Sequence, residues 1–564
     1  MRGRTHIADA KGSASICAVT CAVALTFAVA ACGGREPASS TPGTYTDLVA
    51  LFKDWRAFQA PALVNGVPDY RAEAMAAQHR ELANYRRRLV AIDPSAWPIP
   101  QQVDYHIVRA EMNGLDFDHR VLRPWANDPA FYVAAFGSES DQPAREGHFA
   151  RGSVELWKYA WPLDEASVTE IRAGLAAIPP LLDQARVNLV GTGQDLWTFG
   201  TRQVRAQSTE LQRLGARLAE AGPKELVPDV ERARAATDAF AAWLDNQTPS
   251  KTGPSGIGIE NYDWYLRNVE LLPYTWQDEL TLMERELARA HTALALEELR
   301  NASQPPSTPI ASADEYEKRA QAAVTDYMLF LKEHDLLAIR DYMDPAIRAR
   351  LGRYSAGPRE FFGEVDHHDP QVMRTHGYHW FDKARMAHEP HASPVRRGPL
   401  LYNIFITRTE GHATGWEEMM LEAGMFDRRP RSRELIYILL AQRAARAQGD
   451  LRMHARQATL EQAAAFTAAN TPRGWLSLEG NLVRAEQHLY LRQPAYGTSY
   501  LIGKIQIERL LADRRRQLGA GFTMRRFMDE FDAAGLIPIS LIRWELTGQI
   551  PDDLRSVLAG PHGK

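Results

Sequence analysis

From about Tyr45 to the C-terminus, apolar positions recur at spacings of three and four and seldom alternate, which is the signature of amphipathic helices. In Gln277–Arg300, for example, Leu280, Met283, Leu287 and Leu294 fall on one face. The same periodicity predicts helices over Tyr70–Ala91, Val168–Val190 (interrupted at Pro179-Pro180), Arg202–Ala221, Val230–Leu244, Ala313–Glu333 and Ser432–Gln448. Pro and Gly clusters punctuate them at Thr248–Gly258, Asn301–Pro309, Gly357–Pro358 and Asp369–Pro370. No fixed-period repeat of the solenoid kind is visible. The expectation is an all-α or nearly all-α fold, a single large helical domain over 46–564 with more than half its residues helical. It leaves room for a small minor sheet that the pattern does not place.

Composition narrows this little but excludes much. Of 564 residues, 45% are hydrophobic and 24% charged, which rules out disordered and collagen-like chains. The 66 basic and 70 acidic residues leave a net charge of −4, so the electrostatic reason to expect a nucleic-acid partner is missing. After residue 31 no apolar run approaches the roughly 18 residues of a membrane-spanning helix. The cysteines say more. Cys17, Cys21 and Cys32 all precede residue 33, among Arg2, Arg4 and Lys11 and an apolar run from Ile16 to Ala31. Residues 1–31 read as an export signal. The sequence Val29-Ala30-Ala31-Cys32-Gly33-Gly34 resembles a bacterial lipobox, in which the cysteine becomes the lipidated first residue; an ordinary secretory signal cleaved nearby is the alternative. Residues 32–45, with Pro37, Pro42 and Gly43, would then be the lipidated end and a flexible tether. Gly33 in place of Asp resembles the outer-membrane sorting pattern, so the expected place is the outer membrane, facing the periplasm, held by the lipid anchor only. Cleavage before Cys32 leaves no other thiol, which excludes disulfides, thiolate ligands and a cysteine nucleophile from the folded body.

Candidate chemistry gathers in one stretch. His367, His368, His376, His379, His388, His391 and His412 lie within 46 residues. Neutral imidazole is a common zinc ligand. His376 and His379 are three apart and would share a helix face if that segment is helical, a condition that Gly377 weakens. His388-Glu389-Pro390-His391 has the wrong spacing and a proline for the zincin helix motif, but could supply a histidine with Glu389 as base. The bland alternative is a polar segment whose histidines make ordinary hydrogen bonds. Downstream, Glu410 and Glu417 are two helical turns apart and would share a face. Either offers the carboxylate that a two-histidine site needs as third ligand. Glu418 and Glu422 read as solvated.

Glu410-Gly411-His412-Ala413, Glu417 and Gly424-Met425-Phe426-Asp427 are similar, in one gapless register, to a motif of the bacterial family known as domain of unknown function 885. Glu486, Tyr490, Pro494, Ser499-Tyr500 and Ile502-Gly503 resemble its second motif, and Leu518-Gly519, Phe527-Met528-Asp529 and Gly535–Pro538 continue it. Asp104-Tyr105 and Glu260–Leu266 extend the likeness to nearly the whole mature chain. The resemblance implies a helical, zincin-like metallohydrolase fold, with many relatives exported as lipoproteins. It also implies a His-Glu-x-x-Pro-Gly-His-His motif upstream. Here the matching interval before Glu410 reaches His376–His379 without that motif, so the metal motif is degenerate. Leu489 and Leu501 stand where relatives carry Arg and Lys.

Two functions follow. One is a zinc-dependent peptidase or amidase on small peptides in the cell envelope, with His376, His379 and Glu410 as metal ligands. In it Tyr500 donates to the oxyanion, and Glu417 or Glu389 is the base. The other is a non-catalytic envelope lipoprotein in which the hydrolase fold serves as a binding module. In either case, Glu410 should face an interior cleft that Tyr496 or Tyr500 also lines.

Overall fold

Thr44 and Asp47 form a capping box at the first described helix, each side chain satisfying the other's backbone N–H. The computed structural model describes residues 43–559; the export signal, Cys32 and all but the end of the tether lie outside them. Helix α1 (Tyr45–Phe58) is followed by a hairpin of β1 (Leu63–Val64) and β2 (Val67–Pro68), then by α2 (Ala72–Val90), α3 (Ile99–Phe117) and α4 (Pro124–Asn127). Strands β3 (Ala135–Phe136) and β4 (Val154–Glu155) pair in parallel and clasp the two ends of the 137–153 loop. Next come α5 (Glu165–Asn188), α6 (Gln194–Ala221), α7 (Val227–Gln247), α8 (Ile259–Asn268), α9 (Trp276–Arg300) and α10 (Ala313–Glu333). Shorter α11 (Met343–Arg348), α12 (Phe361–His368), α13 (Pro370–His376) and α14 (Tyr378–His388) lead into α15 (Ile406–Glu422), α16 (Pro430–His454) and α17 (Leu460–Asn470). The chain closes with α18 (Leu482–Arg492), α19 (Tyr496–Leu518), α20 (Met524–Ala533), α21 (Ile539–Thr547) and α22 (Asp552–Leu558).

Helices account for 68% of the structure, so the fold is mostly helical. Among the described residues, none is long and apolar enough to cross a membrane. Each predicted helix is present. The interruption expected at Pro179-Pro180 is not: α5 runs through both prolines. Burial of Ile171, Leu175, Ile178, Leu181 and Leu182 along one face outweighs the hydrogen bonds that two prolines remove.

Two apolar cores organise the helices. One joins α5, α6 and α7 around Trp197, Phe240 and Leu244. The other surrounds α16, whose residues from Glu434 to Leu451 are buried on every side. A helix buried all round should be apolar all round, yet α16 carries Gln442, Arg443, Arg446, Gln448 and Asp450. Those polar groups are a first sign that the centre of the fold is built for more than packing.

A set of uncompensated acids lies beside it. Glu270, Glu279 and Asp450 are each fully buried, and among the described residues no Lys or Arg is paired with them; His454 Nε2 is 3.4 Å from Asp450, but burial pushes that imidazole down to about 4. Burial pushes the Glu279 carboxyl up to about 8, although Thr498 and Tyr262 hydrogen-bond to it. The folded state thus keeps a proton that the unfolded chain releases near the ordinary carboxylate value. This contribution to stability is complete below that value and is lost as pH rises through about 8. Glu279→Gln should therefore leave Tm nearly unchanged at pH 5 and raise it by a few °C at pH 9, as read by calorimetry. An equal shift at both pH values would contradict this.

Candidate metal centre

Helix α15 is buried from Ile406 to Glu417 although its sequence is largely polar. It achieves this by lying directly on α19: a Cβ on Gly411 would fall 2.3 Å from Gly503 Cα. That backbone contact brings Glu410 under the first turns of α19. There Tyr496 and Tyr500 each donate a hydroxyl to Glu410 Oε1 at 2.8 Å. The amide of Gln142, reaching in from the 137–153 loop, donates to the same oxygen at 3.1 Å, while its carbonyl accepts from Thr409 at 2.6 Å. Three donors on Oε1 turn Oε2 the other way.

Oε2 faces a pair of imidazoles. His376 and His379 do not share a helix: α13 ends at His376, Gly377 breaks the chain direction, and His379 lies in the first turn of α14. A Cβ at Gly377 would meet the tip of Ile347, with Cδ1 at 2.8 Å, and would have to displace that side chain. The two rings are 5.0 Å apart and nearly perpendicular. His379 Nε2 is 3.2 Å from Glu410 Oε2, an ion-pair distance without hydrogen-bond geometry, and neither buried atom has another partner among the described residues. One donor atom from each of His376, His379 and Glu410 lies within 4.8 Å of the others. Ligands at about 2.0–2.2 Å from a tetrahedral zinc stand roughly 3.3–3.6 Å apart, so a small inward movement of side chains would suffice. The donor set and its spacing fit zinc.

Behind His376 stands a second layer. Its Nδ1 is 2.9 Å from Glu417 Oε1, and Glu417 is gripped by both arms of Arg443 at 2.6 and 2.8 Å. All of Glu417 is buried. Burial pushes the His376 imidazole below its ordinary value despite Glu417, and Arg443 and His379 add to the fall. The same Nδ1 of His376 lies 3.1 Å from Arg443 Nη2, so it accepts from Arg443 or donates to Glu417 according to the tautomer. His379 differs: burial opposes its charge, but Asp141 and Glu410 overcome burial and push it up to about 9. Burial likewise opposes ionisation of Glu410, yet His379 holds it down at about 2, with help from His376 and Tyr496.

The remaining candidates are elsewhere. Glu389 is at the opposite end of α14, about 15 Å along its axis from His379, and is tied to Tyr342 at 3.1 Å and Arg340 at 3.0 Å. His388 stacks on Tyr342, and His391 Nδ1 accepts from the Ser393 N–H. His367 is satisfied by the Gly363 carbonyl and the Ser355 N–H, and His368 by Ser307. His412 is walled in by Arg408, Tyr378 and Phe531. Glu417 sits behind His376 rather than beside the open position. Glu418, expected in solvent, bonds Arg289 at 2.6 Å and Lys504 at 2.9 Å, because α15 has almost no solvated face. Glu422 is exposed.

Residues without a local sequence signal complete the site. Glu146, on the 137–153 loop, is pushed up to about 7 by burial and by the charges of Asp141 and Glu410, against a hydrogen bond from Ser140. Arg446 lies 4.0 Å over the Tyr500 ring and pairs with Glu486, and Arg443 lies 5.9 Å from the same ring. Two cations thus stand beside Tyr500 although positions 489 and 501 are leucine. Their signal in the sequence is two arginines three apart within the apolar run of α16 from Leu435 to Ala447. Nothing in a polar loop some 270 residues before Glu410 marks Gln142 or Glu146 as its neighbours.

Known structures share this architecture. A protein described as a putative lipoprotein of unknown function from Shewanella oneidensis superposes with a TM-score of 0.65 at 15% identity, over 89% of this chain and 99% of that one. A putative lipoprotein from Colwellia psychrerythraea gives 0.59 at 13% identity, over 89% and 98%. At such identities the likeness is one of fold. No curated protein matches the sequence. The family described as "Bacterial protein of unknown function (DUF885)" matches residues 64–404 and 379–546, and the chain belongs to that family.

Proposed function

We propose that this chain is a zinc-dependent hydrolase of small peptides, tethered to the cell envelope by lipid on Cys32. The observation that carries the reading is the convergence of His376, His379 and Glu410, one donor atom from each within 4.8 Å of the others, with His379 and Glu410 buried. Zinc bound there would polarise a peptide carbonyl and acidify water toward pKa 7. Around it, each residue has a defined task. Tyr496, Tyr500 and Gln142 hold Glu410 with one oxygen turned to the imidazoles. Glu417, locked by Arg443, lies against Nδ1 of His376 and orients its ring. Glu146 has the proton affinity of a general base working near neutrality, and would take a proton from water and return it to the leaving amine.

The test is direct. Purified mature protein should take up one equivalent of zinc, and release of free amine from unmodified di- and tripeptides should stop with a chelator and resume with zinc. If no zinc is bound at micromolar concentration, the non-catalytic envelope lipoprotein becomes the better account. The descriptions of the two structural neighbours support the lipid anchor, as does the sequence Val29-Ala30-Ala31-Cys32-Gly33. Outer-membrane residence, facing the periplasm, is the part of this reading that rests on Gly33. Cys32→Ala should move the protein from the membrane fraction to the soluble one; a variant that stays on the membrane without lipid would remove the anchor from the proposal.

A further inference from the structure

The two imidazoles of the centre are supported differently. Behind His376 stand Glu417 and Arg443. The ring of His379 has a single hydrogen-bond contact among the described residues, the Gln142 amide nitrogen 3.5 Å from Nδ1, which is at the outer limit for such a bond. A ligating imidazole is ordinarily held in place by a partner on its second nitrogen. For His379 the placement must come from the helix that carries it.

That helix, α14, is held by one buried arginine. Arg408 lies on α15, two residues before Glu410, and is fully buried. Its Nη1 and Nη2 donate to the two oxygens of Asp382 at 2.9 and 3.1 Å, the paired planar geometry that a guanidinium offers and an ammonium does not. Asp382 follows His379 by three residues, on the next turn of α14. Nη2 of Arg408 also donates to Asp532 Oδ1 at 2.9 Å, from α20. The other oxygen of Asp532 accepts from the Tyr378 hydroxyl at 2.8 Å and pairs with Arg385. Helix α14 is thus tied at Tyr378, Asp382 and Arg385, before and after His379. Arg408 bonds Asp382 directly and reaches the other two through Asp532. Because Arg408 and Glu410 share α15, the element that presents the carboxylate also holds the element that presents the imidazole.

Stability alone does not call for this arrangement. Its surroundings are apolar: the Phe531 ring lies 4.4 Å from the Arg408 guanidinium, and Phe381 and Trp416 pack edge-on against Tyr378. Taking a guanidinium and two carboxylates out of water is costly, and apolar side chains of like volume often hold a core as well or better. What apolar packing does poorly is to fix one helix on another to within about half an ångström, the tolerance of a metal or catalytic constellation. A bidentate ion pair, which has one preferred direction and one preferred distance, does that.

We propose that Arg408, with Asp382 and Asp532, is a positioning set for the metal centre, fixing α14 on α15 so that His379 stands against Glu410. Its purpose rests on the zinc reading; its geometry does not. The test is the mature protein carrying Arg408→Met together with Asp382→Leu, which removes one charge of each sign and leaves Asp532 paired with Arg385. The urea midpoint of this double variant should stay near that of the parent. In chelator, crystals of the parent should show His379 Nε2 3.2 Å from Glu410 Oε2, and those of the variant should show the two atoms about 1 Å or more further apart. Zinc affinity, read by competition with a chromophoric chelator, should fall about 10–100-fold. Should the double variant fail to fold, Arg408→Lys carries the test. It keeps the charge without the fork, and the same displacement with about a tenfold loss of affinity is expected. In a parent that binds zinc, a folded variant with either the parent's separation or the parent's affinity overturns the proposal and leaves the zinc reading standing. In a parent that takes up no zinc, displacement in the variant keeps the positioning set and removes the zinc reading, whereas an unchanged separation removes both.

Discussion

Gly503→Ala is expected to destabilise the protein by about 3 kcal/mol or more, at the upper end of what overpacking costs in cores where side chains can yield. Here the clash is with backbone. A Cβ on Gly503 would lie 2.1 Å from the Thr407 carbonyl oxygen and 2.6 Å from Gly411 Cα, and neither can swing aside. The helices α15 and α19 would have to separate. The hydrogen bonds from Tyr496 and Tyr500 to Glu410 span the same pair of helices and would lengthen with them. Gly415→Ala is the matched control. Its Cβ would meet only Ile507 Cγ2 at 3.3 Å and the flexible stem of Lys504, and alanine is favoured over glycine inside a helix by about 1 kcal/mol. Urea unfolding should show a large loss for the first variant and a change near zero, or a small gain, for the second. A Gly503→Ala protein as stable as the parent would mean that the two helices are not held at this contact.

Those two glycines show what was legible and what was not. Gly411 and Gly503 are visible as members of two motifs, but the motifs do not say that the glycines touch each other. The helices themselves follow from periodicity because most present one apolar face, as Met283 and Leu294 do on α9. Periodicity fails where burial has no single face. On α15 it places Glu418 in solvent, whereas Arg289 and Lys504 enclose it. On α5 it stops at two prolines that packing carries through. The approach of His376, His379 and Glu410 is partly local, since all three lie within 35 residues. Their geometry is not local. A helix break at Gly377 angles the imidazoles, and Glu410 is oriented by Tyr496, Tyr500 and Gln142, the last from a loop clasped by β3 and β4. Long-range partners of this kind leave no spacing to read. Glu146 is the clearest case: its sequence neighbours are those of a surface loop, and only the fold brings it, half-buried, within reach of the charges of Asp141 and Glu410.

The hydrolase reading separates two acids that a static picture leaves side by side. Glu410→Ala should abolish measurable zinc uptake in equilibrium dialysis, a loss beyond the 10–100-fold that removal of a supporting partner costs. It also leaves the donors of Tyr496, Tyr500 and Gln142 without their acceptor, so some stability should go with it. Glu146→Gln should do neither. It retains volume and polarity, is not one of the three converging residues His376, His379 and Glu410, and should bind zinc as the parent does while kcat falls by about 10²–10⁴. The pH profile supplies the sign. Glu146 works as a base only when ionised, so kcat/KM of the parent should fall as pH drops through about 7, or somewhat lower once the charge of zinc favours the carboxylate. In Glu146→Gln that acid limb should vanish from the residual activity. If it persists unchanged, the titrating base is another group and Glu146 is only a neighbour. If zinc is lost together with turnover, Glu146 belongs to the metal's own support, and the proton must be taken elsewhere.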